Sequence, residues 1–438
     1  MGNYIIRTLA SFLPNDLVFG ESFRRAKKIA SIYKASKDKV DFVNSYQEEK
    51  LKNTLRIASN TAHYKNINLF SRFEKIPPIN KDIIINSFDN FIISKKFADY
   101  ITTGGTSGKP LGFYINKNRK GFEWFWMTNN WSKVGFTLND YRAVLTNHKL
   151  NGKNYKVDHL LREYQYNNFS LNDNYLNYVI EHINAKKIKF LRAYPSAAFM
   201  LSKYILREKK NTTLKYFLCG SENVFKYQKE LIENSLGIRM YTWYGHSEKL
   251  ILAGEGKECD NYHSNPFYGY GEIIDENDKP VQEVGTIGEL TGTGFINTKM
   301  AFIRYRTGDF AEFVGDVCPN CGHIGLTFKN VKGRWHGDLI YKSDGSNITT
   351  TALNLHSKFY NHIKALQYFQ NQVGKLEVRV IPENNFTREI KEKISNDLKI
   401  KCGNGLDINV VEVEAVELSD INKFQLLIQR IKKEQNEF

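Results

Sequence analysis

Residues 102–114 read TTGGTSGKPLGFY, a run in which small residues and hydroxyls surround one lysine. Thr103, Gly104, Gly105, Thr106, Ser107, Gly108 and Lys109 form its centre. Glycines let a backbone approach a ligand closely and reach φ > 0 without steric cost. Successive N–H groups in such a loop form a nest for an anion, and Lys109 adds positive charge. This composition suits a loop that grips phosphate; it equally describes a Gly-rich surface turn. The P-loop of GTPases and motor ATPases is excluded, because that motif requires Ser or Thr directly after Gly-Lys. Here Pro110 follows Lys109, and Thr103 stands where the first glycine would be.

A second group has metal-ligand spacing. Cys259-x-x-x-His263 is followed by Cys318-Pro-Asn-Cys321-Gly. A C-x-x-C turn aims two thiolates at one ion, and a distant Cys/His pair completes a tetrahedral Cys₃His shell. Such a shell leaves no open position, so the zinc expected there is structural. His323 is a spare candidate ligand.

Three further strings sit where ligands bind. YRTGD, Tyr305 to Asp309, places a carboxylate after a Thr-Gly turn, suited to a vicinal diol such as ribose. An ordinary turn carrying Asp is the alternative. YGHSE runs Tyr244, Gly245, His246, Ser247, Glu248 just after an expected strand. Ligands bind beyond the carboxyl ends of strands in open parallel sheets. Tyr244 could stack on a base there and Glu248 could hold Mg²⁺; a capped helix start is the alternative. CGSEN, with Ser221 and Glu222, either lines a base pocket or caps a helix.

The elements that must position these strings follow from periodicity. Residues 1–95 show mostly helical spacing, and FADYITTGGTSGKPLGFYIN reads strand, loop, strand. Residues 119–135 are aromatic and helix-like. Residues 186–245 alternate strand and helix, which implies a mainly parallel sheet covered on both faces. Residues 268–315 turn to short strands with Gly turns, an antiparallel subdomain. A compact α+β unit follows: KLEVRVIP a strand, TREIKEKISNDLKIKCG a helix, LDINVVEVE a strand, KFQLLIQRIKKE a terminal helix. The fold class is therefore α/β: a large N-terminal α/β domain with parallel strands and an antiparallel β subdomain, then a small α+β domain.

At 438 residues, two or three domains are expected. The five cysteines are an odd number, against a disulfide framework. Neither a secretory leader nor an apolar run long enough for a membrane span is evident, so a cytoplasmic protein is expected. The net charge is +15. The basic cluster of Arg24, Arg25, Lys27 and Lys28 reads best as a solvated helix face, with a peripheral membrane patch as the alternative. No nucleic-acid-binding module is recognisable, so no nucleic-acid partner is expected.

Taken in order, TTGGTSGKP, GSE, YGHSE, YRTGD, GRWHGD and a lysine in NKF resemble the motifs of adenylate-forming ligases. Within these the chain is most similar to the phenylacetate–CoA ligase branch and its CapK-type relatives of capsular polysaccharide loci. The resemblance implies an adenylation domain over residues 1–335, with the zinc subdomain within about 255–325. It implies a small mobile domain over 336–438, hinged near His336-Gly337. It implies that Thr106, Ser107 and Lys109 lie over the ATP phosphates and that Ser221, Glu222 and Tyr244 line the adenine pocket. Glu248 would meet Mg²⁺, Asp309 the ribose and Arg334 the nucleotide, with Lys423 the catalytic lysine. Asn422 replaces the family's usual Gly before that lysine, and His336 replaces an acidic hinge residue. The implied reaction joins a small-molecule carboxylate to AMP and passes the acyl group to CoA or to an amino-sugar acceptor, with association to polysaccharide machinery.

Overall fold

In the computed structural model, residues 7–70, 72–102, 111–146, 150, 152–168, 171–333, 339–345, 347–349, 353, 355, 359, 362–403, 405–418 and 425–431 are described. After the short helix Asn15–Val18 come two longer ones, Gly20–Ala35 and Lys39–Ala58. The last of these starts where the Asp38 carboxylate accepts the Asp41 N–H, satisfying one of the donors a helix start leaves unpaired. Strands β1 (Ala98–Thr102) and β2 (Gly112–Asn116) then pair antiparallel, with Thr102 opposite Gly112.

The centre of the molecule is one sheet of twelve strands. Its first half comprises β3 (Arg142–Thr146), β4 (Tyr155–Asp158), β5 (Glu163–Asn167), β6 (Phe190–Ala193), β7 (Tyr216–Gly220) and β8 (Arg239–Gly245). The order β8-β7-β6-β3-β5 is parallel throughout, and β4 closes that edge antiparallel. Parallel strands are covered on both faces, and these are. On one face lie the helices Asp173–Ala185, capped by Asn172, and Pro195–Arg207, begun by a proline in its first turn. Beneath them Ala143, Leu145, Tyr166, Leu191, Ala193, Phe217 and Met240 form a hydrophobic layer, with the Tyr166 hydroxyl 2.8 Å from His182 Nδ1. The other face packs on the helix Lys120–Trp131 through Trp131, Phe136, Phe190, Leu218 and Tyr241. That face also carries Arg142, Glu163, Gln165 and Arg192, at paired register positions on β3, β5 and β6.

The second half comprises β9 (Leu252–Gly254), β10 (Tyr262–Ser264), β11 (Gly269–Ile274), β12 (Ile287–Gly294), β13 (Tyr305–Val317) and β14 (Ile324–Lys332). All pair antiparallel, in the order β11-β12-β13-β14-β10-β9-β8. The antiparallel strands expected from the Gly turns are present, and they extend the parallel sheet itself. Arg304, fully buried, ties the N-terminal region to this half. Its Nη1 donates to the Glu74 and Ile76 carbonyls at 2.8 Å, its Nη2 to Asp278 O at 2.9 Å, and its Nε faces Glu272 at 3.3 Å.

After a small pair, β15 (Leu339–Tyr341) with β16 (Asn347–Thr349), comes a four-stranded sheet. It holds β17 (Ile363–Gln370), β18 (Lys375–Pro382), β19 (Asp407–Glu412) and β20 (Leu427–Gln429), with the helix Arg388–Cys402 connecting β18 to β19. The strand order is β19-β18-β17-β20. The terminal helix expected around KFQLLIQRIKKE is corrected here: Leu427–Gln429 is a strand parallel to β17. The reason is burial. Leu427 and Ile428 are 5% and 7% exposed beside β17, and the amide of Gln367 donates to the carbonyls of Glu417 and Gln425. Edge pairing outweighs the helical spacing of four apolar residues. This unit packs on the Pro195–Arg207 helix, where Phe199 joins its core and Lys203 pairs with Glu383 at 3.2 Å.

Replacing Arg304 with Met strands three carbonyls and the Glu272 carboxylate inside the protein. The expected cost is about 3–5 kcal/mol, as for other broken buried pairs. It is read as a lower urea midpoint with an unchanged m-value.

Candidate active site

The carboxyl ends of β7 and β8 and the first half of β13 converge. β8 ends in Tyr244-Gly245, and the chain then turns back through His246–Ile251 into β9. The turn is neither a helix nor capped as one. Instead His246 braces it: the Ile251 N–H donates to its Nε2 at 3.2 Å, and its Nδ1 lies 3.0 Å from Glu248 Oε2. Since Nε2 accepts, Nδ1 carries the proton and donates to the carboxylate. Tyr305, the first residue of YRTGD, donates to Glu248 Oε1 at 2.9 Å. Glu248 is only 4% exposed. Burial pushes its carboxyl up, but the bonds from His246 and Tyr305 overcome this and hold it down at about 2. It is a fixed, ionised carboxylate, the hard oxygen ligand that Mg²⁺ prefers.

Tyr244 donates to Asp309 Oδ2 at 2.8 Å. Burial and the adjacent Asp309 carboxylate raise the phenol well above its ordinary value, so it remains the donor. Asp309 follows Gly308, whose φ of +77° falls where the register of β13 against β12 is broken. Its neighbour across the site is Gly333, where a side chain would meet Asp309 Oδ1 at 3.4 Å and Asn223 Oδ1 at 3.5 Å. The structure therefore gathers Tyr244, Glu248 and Asp309 into two bonded groups near the end of β8, Tyr244 with Asp309 and Glu248 with His246 and Tyr305.

Ser221 follows Gly220 at the end of β7 with φ +69°, a left-handed position a helix cap does not use. Glu222 accepts the Ser196 N–H at 3.1 Å, so it holds the start of the Pro195–Arg207 helix, where a carboxylate also meets the positive end of the dipole. Between these strand ends lies a cavity of about 130 Å³, lined by residues including Thr146, Arg192, Tyr194, Gly220, Ser221 and Trp243. Thr103 to Lys109, Arg334 and Lys423 lie outside the described residues.

The metal group assembles on β10, the segment just before it, and the turn between β13 and β14. The ligand atoms of Cys259, His263, Cys318 and Cys321 all lie within 4.8 Å of one another. Cys259 Sγ is 3.7 Å from both Cys318 Sγ and His263 Nε2, and Cys321 Sγ is 3.4 Å from His263 Nε2. Two sulfurs bound to a tetrahedral zinc lie about 3.8 Å apart, so the donor set and its spacing fit that ion. Burial keeps His263 neutral, down at about 3, the form that ligates. Gly322, at φ +70°, turns the knuckle, and Gly256 leaves room for the Cys259 and His263 side chains. His323 is not part of the set; it bonds the Ser264 carbonyl at 2.9 Å and stacks on His263.

Sequence reasoning missed three contributors. Tyr305 was inside a recognised motif but had no assigned partner. His246 looked like a ligand contact and is a brace. Arg192 carried a signal in plain view, a charge inside the apolar strand FLRA.

The architecture is that of adenylate-forming CoA ligases. It matches 2-hydroxyisobutyryl-CoA ligase in the postadenylation state, solved with 2-HIB-AMP, at a TM-score of 0.67 over 89% of each chain and 16% identity. It matches the thioesterification state of that ligase, solved with 2-HIB-AMP and CoA, at 0.55 over 90% of this chain and 91% of that one, with 17% identity. At the C-terminal end, residues 340–430 match the CapK C-terminal domain. The chain is also similar to protein CapK of Staphylococcus aureus, 22% identical over 374 residues, which cover 83% of this chain and 81% of CapK. The chain thus has the adenylate-forming ligase fold with a CapK-type C-terminal domain.

The Glu248 carboxyl titrates lower in the folded protein than its ordinary 4.5, so the stability it contributes is present above about pH 4.5 and lost as pH falls toward 2. By pH 3 the loss reaches about 2 kcal/mol. Glu248→Gln has no such titration, and its stability should fall less between pH 6 and pH 3, as measured by urea midpoints.

Proposed function

We propose that this protein activates a small carboxylic acid with ATP, forms an acyl-adenylate, and passes the acyl group to CoA or to an amine. The observation that carries this is the pair of bonded groups, Tyr244 with Asp309 and Glu248 with Tyr305 and His246, near the end of β8, together with a small cavity at the strand ends. A carboxylate resists attack by thiols and amines; bonding to the α-phosphate makes AMP its leaving group. The charge that gathers on the phosphate oxygens is met by positioned cations and donors, as in phosphoryl transfer generally.

In this reading Asp309 takes the ribose diol, Tyr244 and Ser221 border the base, and Glu248 offers its oxygen to Mg²⁺. Thr103 to Lys109 close over the phosphates, Arg334 meets the nucleotide, and Lys423 neutralises the carboxylate–phosphate junction. Glu222 serves the pocket indirectly, by fixing the helix start beside it. Residues 1–335 form the adenylation domain, and 336–438 the smaller domain that brings Lys423. Zinc held by Cys259, His263, Cys318 and Cys321 is structural, since all four positions of a tetrahedral shell are filled by protein.

The CapK likeness favours an amino-sugar acceptor in surface polysaccharide assembly over CoA. The exposed Leu9, Phe12, Leu13 and Leu17, close in sequence to the basic helix Gly20–Ala35, favour peripheral contact with the cytoplasmic membrane surface.

Carboxylate-dependent pyrophosphate–ATP exchange tests the reading. Exchange should appear with at least one acid of a broad panel and fall about 100-fold or more in Lys423→Ala, the scale of losing one transition-state contact. Silence with every acid, or a Lys423→Ala variant as active as wild type, overturns it. Protein purified without chelator should carry about one zinc per chain, and Cys318→Ser should lose the metal together with thermal stability.

A further inference from the structure

The two faces of the parallel strands differ in a way that packing alone does not require. Under the Asp173–Ala185 and Pro195–Arg207 helices β3, β5, β6 and β7 present Ala143, Leu145, Tyr166, Leu191, Ala193 and Phe217, with no charged side chain among them. Under the Lys120–Trp131 helix the same strands carry Arg142, Glu163, Gln165 and Arg192. Burying charge is costly unless each charge is matched, so the matching is informative.

Glu163, 2% exposed, is claimed by Arg142, whose Nη2 lies 2.5 Å from Oε1. The Gln165 amide donates to the other oxygen at 2.9 Å. Arg142 is also enclosed by the rings of Trp124, Trp131 and Phe136. Arg192 is left with a distant second claim on the same carboxylate oxygen, at 3.8 Å. Two guanidinium groups therefore share one carboxylate, and the group carries one net positive charge. Arg192 is its outermost member, with 34% of the side chain exposed, and it lines the cavity.

The cavity sits where such sheets bind ligands. β3 has β5 on one side and β6 on the other, so the strand order reverses there, and the cavity opens beyond the carboxyl ends of β3, β6 and β7. Its floor is the Trp243 ring, against which only a glycine fits: a Cβ on Gly220 would lie 2.5 Å from that ring. The indole N–H of Trp243 finds no acceptor among the described residues. Thr146 adds a hydroxyl. The volume, about 130 Å³, is near the ~150 Å³ that accommodates one benzene ring. An alkyl or aryl acyl group of that size would desolvate Arg192 and give its charge nothing in return.

We propose that this cavity takes the acyl end of a short carboxylic acid bearing a second anionic group, and that Arg192 is the residue that reads that group. This rests on the acid-activating reading above and names its substrate class. The carboxylate to be activated faces the nucleotide site at the strand ends; the second anion meets the Arg192 guanidinium, and the Thr146 hydroxyl is a further donor lining the same cavity.

The test pairs acids of matched size in pyrophosphate–ATP exchange: butyrate against succinate, valerate against glutarate, benzoate against isophthalate. Wild type should favour the diacid of its best pair by about 10-fold or more in kcat/KM. Arg192→Gln should raise the KM for that diacid about 30-fold with kcat and the KM for ATP little changed, and Arg192→Lys should recover part of the loss. A wild type that prefers monoacids, or an Arg192→Gln effect on the KM for ATP or CoA instead of the acid, overturns the proposal, the latter by assigning Arg192 to phosphate. Thermal shifts separate this from failure of the adenylation reading. Stabilisation by succinate, glutarate or isophthalate over their monoacids, lost in Arg192→Gln, supports the anion site even where exchange is silent. Silence in exchange together with no diacid-specific shift rejects both.

Discussion

The turn between β8 and β9 is the point on which this molecule depends. On one side of it every strand down to β5 runs parallel; on the other every strand runs antiparallel to its neighbour. A chain that leaves the carboxyl end of a parallel strand normally departs through a helix, because a parallel return needs a crossover. Here it reverses within six residues, and the His246 ring supplies the bonds that a helix would have supplied to the turn. The same reversal lays β9, β10 and β14 against the parallel half, which carries β13 to the strand ends. Tyr305 and Asp309 reach Glu248 and Tyr244 only because the sheet is continuous. The fold's change of direction and the assembly of the site are one event.

Around that centre, buried polar groups are matched rather than avoided. Arg304 divides its guanidinium among three carbonyls and one carboxylate drawn from separate segments, so it fixes their relative positions. Glu255 does comparable work below β8, where Thr242, Lys229 and Arg239 converge on its two oxygens. The Cys₃His group joins the end of β13 to β10 and the segment before it. These devices are distinct from the site network, yet each restrains a strand that contributes to it.

Most of the architecture was legible in the sequence because the alternation of strands and helices between residues 186 and 245 leaves few topologies. The motif residues were legible for a related reason: Tyr244 and Glu248 stand at or just past the end of β8, and Asp309 follows a positive-φ glycine within β13. What the sequence hid was pairing. Nothing in KFQLLIQRIKKE distinguishes a short amphipathic helix from a strand that completes a sheet, since the deciding contact is with β17, about sixty residues earlier. Nor does YGHSE reveal that its histidine braces the turn, because the partner is the backbone of Ile251. The Glu163 carboxylate that ties Arg142 to Arg192 is equally non-local. Long-range partners, not local propensities, account for the differences.

The unequal faces of the parallel strands have a consequence for descent. The apolar face fixes two helices, and one of them supports the C-terminal unit; few substitutions there leave the molecule intact. The polar face carries its charges as a small interdependent set that the helices on the opposite face never touch. Members of that set can be exchanged together while the packing on the opposite face is inherited unchanged.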